Sequence, residues 1–426
     1  MSGLTRNVIL LSADALRADH LSCYGYDRET SPNIDRFASE NVQLLNAYSA
    51  SSHTREAVPA LLTGRYPDEA IDEKYHLDAP TVATYLKSEG YATAGFHSNP
   101  FVSRAYGYDR DFDVFDDDLH LGKHKIIALA QRALDKLRNR HYARASEINE
   151  RSLDWIDSLD GGQPFFLWNH YMDPHGPYEP IDAYRKRFHD EPVSDKHAQN
   201  LYKRAIRDPG SISDEERETL INLYDAEIRY TDEHVGAFLD ALADRDLLDE
   251  SAVIFTADHG DAFGEHGYYE HPRYLHDELT RVPLLIKHPE VSEATVTHAA
   301  STVDVLPTIL SVVNADPEGL PGEPLVPLAS EDLEDRAIFC QARGEGQDSA
   351  VRRFRACSIA GSAFADARVS GSEIELTNQK GNAVLSERLS DHIASRIAEF
   401  KPIEKRTEEQ ETKAINDRLE ALGYKE

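Results

Sequence analysis

Sulfur is scarce in this chain. Its 426 residues hold three cysteines, Cys23, Cys340 and Cys357, and two methionines. So few cysteines, odd in number and spread along the chain, cannot build a disulfide framework, and reduced thiols are expected. Lysine is scarce too: 14 Lys stand beside 32 Arg. Together the 46 basic residues face 76 Asp and Glu, for a formal net charge of −30. That excludes nucleic acid or an anionic membrane as the main partner, since both need basic surface. An acidic, Lys-poor, Arg-rich balance suits work in high salt, where excess charge is screened. An ordinary acidic cytosolic protein is the plainer reading. Long apolar runs are also missing. Val8 to Leu11 is too short for a secretory core segment, and Asp14 follows at once. No stretch approaches the length of a membrane span. A soluble, cytoplasmic protein is expected, with no prediction of its oligomeric state. What is present is a 40% apolar composition, enough to bury a real core and to exclude wholesale disorder.

Short apolar runs read as buried parallel strands at Val8–Leu11, Ala92–Phe96, Phe165–Trp168, Ala252–Phe255 and Leu284–Ile286. Helical patterns separate them. Thr81–Gly90 predicts a short helix closed by Gly90. Lys125–Asp157 predicts a long helical stretch broken near His141. Ser213 with Glu216 forms a capping box opening a helix that carries Leu220, Leu223, Tyr224, Ile228, Val235, Phe238 and Leu242. Strands alternating with helices predict an α/β fold with a central, mostly parallel sheet flanked by helices. After about residue 330 the character changes. Arg352–Ser358, Ala363–Val369 and Ile374–Thr377 predict a smaller antiparallel sheet, closed by a charged helical tail from about Glu387. The expected domains are 1–330 and 331–426. Asp182–Asp214 is polar and is expected to be irregular.

The polar clusters sit where chemistry is done in such folds. Asp14 follows the first strand. Asn169, His170, Asp173 and His175 follow the third predicted run, and Asp258 and His259 the fourth. Ligands bind beyond the carboxyl ends of strands in open α/β sheets. A mixed Asp/His set delivered there suits Zn²⁺, Mn²⁺, Mg²⁺ or Ca²⁺. Each Asp taken singly also fits a helix cap. A second focus is Thr54, which precedes a predicted helix from Glu56 to Leu62 ending at Gly64. A hydroxyl there sits among free N–H groups suited to an anion, and also fits a plain N-cap. Arg17 and Asp19 fit packing of the first turn. His170 and Asp173 fit a supporting shell that orients His175. Glu265 and His266 fit a pocket-lining or solvated loop.

Six segments resemble the sulfatase family of the alkaline phosphatase superfamily. They are NVILLSADALRADHLSCYGY with SPNIDRFASE (7–40), ALLTGRYP (60–67), FFLWNHYMDPHGPY (165–178), VIFTADHGDAFGEHG (253–267), DELTRVPLLI (277–286) and VDVLPTIL (303–310). They follow the family's order. The resemblance implies an alkaline phosphatase-like α/β core, a smaller C-terminal sheet and one or two divalent cations. It implies Asp14, Asp258 and His259 as metal ligands. His175 matches a histidine that contacts the sulfate, and Thr54 falls at the nucleophile position.

The chain departs from the family at that position. Formylglycine sulfatases carry Cys or Ser in a C/S-x-P/A-x-R signature. Here the run is Thr54-Arg55-Glu56-Ala57-Val58, and Thr cannot yield the aldehyde. The second Asp of the usual pair is Ala15. A downstream Lys is missing, and His271 and Arg273 stand in its neighbourhood. Phosphoglycerol transferases and nucleotide phosphodiesterases of the superfamily use a metal-bound Thr with a similar set. The expected protein is a metal-dependent hydrolase of sulfate or phosphate esters. Thr54, His175 and His271 would be catalytic; Arg55, His175 and Arg273 would bind substrate; Asp14, Thr54, Asp258 and His259 would hold metal. The substrate would be a small-molecule, glycan or lipid ester. The alternatives are a phosphodiesterase or phosphoglycerol-type transferase with the same Thr, and a non-catalytic anion-binding descendant. The last is motivated by Val58, Ala15 and the negative Glu56.

Overall fold

The computed structural model describes residues 7–119, 142–189, 192–316, 319–326, 336–344, 350–357, 363–381, 383–396 and 415–416. In chain order the strands are β1 (Asn7–Ala13), β2 (Val42–Tyr48), β3 (Ala92–His97), β4 (Val114–Asp116), β5 (Phe165–Tyr171), β6 (Ser251–Ala257), β7 (Ala262–Phe263), β8 (Tyr269–Glu270), β9 (Arg281–Lys287), β10 (Ala294–Ser301), β11 (Ile338–Arg343), β12 (Val351–Cys357), β13 (Phe364–Ser370) and β14 (Glu373–Lys380).

The large sheet has the order β10-β2-β9-β6-β1-β5-β3-β4. Its central strands are apolar because helices cover both faces. Along β1, Ile9, Leu11 and Ala13 enter one core, and Val8 and Leu10 enter the other. The Leu284–Ile286 run corrects the expectation of an all-parallel set: β9 is antiparallel to both β2 and β6. An apolar run encodes burial on two faces and carries no direction. The flanking strands β2 and β10 escaped the apolar-run criterion because polar residues such as Gln43, Asn46 and Thr297 interrupt them.

Register positions the site. Ser12 of β1 lies opposite His170 of β5 and Thr256 of β6. The next step pairs Ala13 with Tyr171 and Ala257. The first residues beyond β1 and β6, Asp14 and Asp258, therefore emerge side by side.

Helix α1 (Pro32–Glu40) and the long helix Asp214–Ala243 pack on one face. The long helix has the capping box of Ser213 and Glu216. On the other face α2 (Thr54–Thr63) buries Val58, Leu61 and Leu62. It ends at Gly64, whose φ of +61° favours glycine. The Thr81–Gly90 pattern is the helix Val82–Ser88. Of the Lys125–Asp157 stretch, Ala145–Asp157 is helical, and the break near His141 lies outside the described residues. Asp182–Asp214 is not irregular. It holds helices Asp182–Phe188 and Asp195–Arg207, the latter anchored by Ala198, Leu201, Tyr202 and Ala205. Four apolar positions at helical spacing suffice, although the segment is polar on average.

The smaller sheet is antiparallel, ordered β11-β12-β13-β14. The helix Ala383–Arg396 lays Leu385, Leu389 and Ile393 against Phe354, Ala356, Ala365, Ala367 and Val369. The predicted tail beyond it lies largely outside the described residues. Strand β11 packs Ile338, Cys340 and Ala342 onto Tyr48, Leu275 and Ala299. All three cysteines are free thiols. Among the described residues no helix is long and apolar enough to cross a membrane.

Candidate active site and metal centre

Three groups meet beyond the carboxyl ends of β1 and β6. One donor atom each from Asp14, Asp258 and His259 lies within 4.8 Å of the others, and all three residues are buried. His259 Nδ1 is 2.8 Å from the Gly260 carbonyl, which can only accept. Nδ1 therefore carries a proton, and in the neutral ring Nε2 is the lone-pair nitrogen. It lies 3.7 Å from Asp14 Oδ1 and 3.6 Å from Asp258 Oδ2. Those two oxygens are buried without a hydrogen-bond partner. Buried carboxylates are rarely left so. Burial, then the charge of Asp14, pushes the Asp258 carboxyl up. Burial pushes Asp14 up as well, but His175, His170 and His259 outweigh it and hold Asp14 below its ordinary value. Two carboxylates facing one gap repel, and a cation would relieve both. The donor set fits a divalent cation on this geometry.

The other oxygen of Asp14 is held in place. Oδ2 accepts a 2.5 Å hydrogen bond from Asn99 Nδ2 and lies 3.4 Å from His170 Nε2. His170 Nδ1 is 2.9 Å from Ser12 Oγ, which also accepts from Trp168 Nε1. Ala15 adopts φ +58°, a left-handed conformation uncommon for a residue with a Cβ. That turn aims its N–H at Asp258 Oδ1, 3.1 Å away.

Thr54 enters from α2. It is not the N-cap: His53 is, its ring nitrogen accepting from Arg55 N at 3.2 Å. Thr54 is the first helical residue, and its Oγ1 is 3.1 Å from His259 Nε2. In the neutral tautomer with Nδ1 protonated, the hydroxyl donates to Nε2. His271 stacks beside His259 with ring centres 4.5 Å apart, and His175 lies edge-on to His271 at 4.9 Å. His271 Nδ1 is 3.4 Å from Asp261 Oδ1. Burial, then His259, pushes His271 down to about 4.

The two predicted anion-binding arginines sit further back. Arg55 lies 4.0 Å over the Phe101 ring. Arg273 is ion-paired with Glu56. Glu56 also accepts from Ser51 Oγ at 2.9 Å and from Arg343 N of β11 at 3.2 Å. Arg343 in turn binds Asp68 at 3.0 Å. Glu56 is thus neutralised and ties the first turn of α2 to the smaller sheet.

A family model described as Sulfatase matches residues 6–315. The chain belongs to the sulfatase family. It is an ester hydrolase of the alkaline phosphatase superfamily, of the kind that acts on sulfate or phosphate esters. An N-acetylglucosamine-6-O-sulfatase of Bacteroides thetaiotaomicron is 22% identical over 420 residues, covering 79% of this chain and 73% of that protein. The uncharacterised sulfatase YidJ of Escherichia coli is 25% identical over 353 residues, covering 74% and 70%. A solved structure holding its substrate D-glucosamine-2-N,6-O-disulfate matches with a TM-score of 0.73 at 18% identity, over 94% of this chain and 100% of that one. The phosphonate monoester hydrolase of Agrobacterium radiobacter matches with a TM-score of 0.72 at 19% identity, over 93% and 96%.

The departures from the family's pattern have structural counterparts. Val58, at the signature Arg position, packs in the apolar core with Leu61 and Leu62. Ala15 supplies backbone where the family supplies a carboxylate. Arg17 is not confined to its own turn. It pairs with Asp19 at 2.8 Å and with Glu265 at 2.6 Å, bracing the loop after β6 against the loop after β1. His170 supports Asp14, and Asp173 anchors Ala145 N at 2.9 Å and Arg144 at 2.8 Å. Asn99 went unnoticed, although it follows β3 as Asp14 follows β1 and the same rule would have named it. His53 and Asp261 give no comparable signal.

Proposed function

We propose that this sulfatase-family hydrolase cleaves sulfate or phosphate esters through Thr54 as nucleophile, with Asp14, Asp258, His259 and Thr54 holding one divalent cation. The convergence of the Thr54 hydroxyl on His259 Nε2, beside two unpartnered carboxylate oxygens, carries this reading. A cation there would lower the hydroxyl's pKa and offset charge on the group transferred. The chain's own groups supply the rest. Thr54 sits at the amino end of α2, where free N–H groups favour a developing anion. His175 and His271 line the gap opposite and serve to move protons to the leaving alcohol and from the attacking water. Asn99 and His170 keep Asp14 turned so that Oδ1 faces the gap. Because Thr gives no formylglycine, a covalent Thr54 ester must be hydrolysed or passed to an acceptor alcohol. Thr in this place also favours phosphodiester cleavage or transfer as the second reading. Residues 1–330 are read as the catalytic α/β domain and 331–426 as a small C-terminal sheet with a closing helix.

Sulfated glucosamine, named for two of the similar proteins, is the first substrate to try. Aryl sulfate, phosphate monoester and phosphodiester probes are assayed beside it with Mn²⁺, Mg²⁺, Ca²⁺ or Zn²⁺, with and without glycerol as acceptor. Thr54→Ala should lower turnover about 10³-fold or more. Unchanged turnover in that variant would remove the nucleophile assignment. Ester products on glycerol would favour transfer over hydrolysis.

A further inference from the structure

A second group of metal-type donors lies outside the site. His266, His276 and Glu278 each offer one donor atom, and these atoms lie within 4.8 Å of one another. His266 Nε2 is 3.4 Å and His276 Nδ1 3.8 Å from the same oxygen, Glu278 Oε1. The Glu278 side chain is 8% exposed, whereas those of His266 and His276 are 47% and 29% exposed. Two imidazole rings stack beside this buried carboxylate with centres 3.8 Å apart. Tyr268 Oη adds an oxygen 3.0 Å from Glu278 Oε1 and 2.6 Å from His276 Nδ1.

We infer that His266, His276 and Glu278 form a second divalent-metal site, of Zn²⁺ type, that works as a clasp. Two imidazoles with one carboxylate match Zn²⁺, Co²⁺ or Ni²⁺, and disfavour the oxygen-seeking Mg²⁺ and Ca²⁺. The exposed imidazoles turn about their side-chain bonds to bring both lone pairs onto one ion. The position gives the site its role. His266 stands at one end of a loop, and His276 with Glu278 at the other. Between them the loop carries His271, which lies beside His259, and Arg273, which pairs with Glu56. An ion bridging the ends closes that loop and removes conformational freedom from it. The clasp also bears on His259. A Cβ placed on the next residue, Gly260, would sit 2.1 Å from the Glu278 carbonyl oxygen, so the two backbones already press together. The clasp does not depend on the Thr54 mechanism.

The test counts metal on the full chain without a histidine tag. After chelation and dialysis against Zn²⁺, Asp258→Asn, which removes a ligand of the catalytic set, should retain one tightly held equivalent. Adding His266→Ala and His276→Ala should remove it. Co²⁺ in the Asp258→Asn chain should give visible absorption bands that the added substitutions abolish. Excess Mg²⁺ should not displace either ion. Should the combined variant fail to fold, His266→Gln alone, on an exposed turn, should weaken Zn²⁺ binding about tenfold or more. Retention of the equivalent in the combined variant, or unchanged affinity in His266→Gln, would overturn the site.

Discussion

Two buried charged clusters flank the first turn of α2, one at Glu56 and one where Asp14 and Asp258 meet His259 beside Thr54, and they behave in opposite ways. Around Glu56, each carboxylate oxygen has a partner: Arg273 on one, Ser51 and Arg343 N on the other. Around Asp14 and Asp258, one oxygen of each is held, and the other is buried with nothing to hold it. Among the described residues, these are the two carboxylate oxygens buried without a hydrogen bond. A satisfied network rigidifies, and an unsatisfied one marks a place where a ligand completes the set. Glu56 braces the first turn of α2, and Asp14 with Asp258 leaves a gap that a cation would complete.

Breaking the paired cluster should have the largest effect on stability. Glu56→Ala removes the carboxylate that pairs with buried Arg273, and should cost about 3–5 kcal/mol by denaturant unfolding. A loss below about 1 kcal/mol would show that Arg273 finds other partners. His392 tests the scaffold through pH. Its ring stacks on Phe339 at 3.8 Å, and burial with Arg396 pushes it down to about 3. The unfolded chain takes up that proton below about pH 6.5, and the folded chain does not until about pH 3. Stability contributed by this group is therefore lost as pH falls from 6.5 towards 3. His392→Phe should recover about 2 kcal/mol at pH 4.5 while changing little at pH 8. Equal pH dependence in both chains would contradict the assignment.

The unpaired cluster predicts an effect of opposite sign. In chelator, Asp258→Asn removes one of two facing charges and should stabilise by on the order of 1 kcal/mol. With Mn²⁺ added, melting should rise in the native chain and much less in the variant. A variant that is less stable in chelator would show that the two oxygens do not repel. The smallest effect belongs to Glu265→Gln. Its partner Arg17 keeps Asp19, so stability should fall by less than about 1 kcal/mol.

The contrast also explains what could be read in advance. Asp14, Asp258 and His259 were legible because each directly follows an apolar run, and strand ends carry sites in such sheets. The resemblance then placed Thr54, which local pattern left open between N-cap and anion site. Glu56 with Arg273 was not legible. The two are 217 positions apart and no local pattern links them, so Glu56 read as a stray negative charge. The direction of β9 was hidden for a similar reason, since partners and direction come from the whole sheet. Helix Asp195–Arg207 is hidden in the sequence by the segment's average polarity, although Ala198, Leu201, Tyr202 and Ala205 stand at helical spacing.

The central claim is that the Thr54 oxygen takes the transferred group. Acid quenching during turnover, followed by mass measurement of the peptide carrying Thr54, tests it most directly. A sulfuryl or phosphoryl ester on Thr54, absent from Asp258→Asn and from chelated protein, is the predicted result. Full turnover with Thr54 unmodified and the ester on another residue would contradict it.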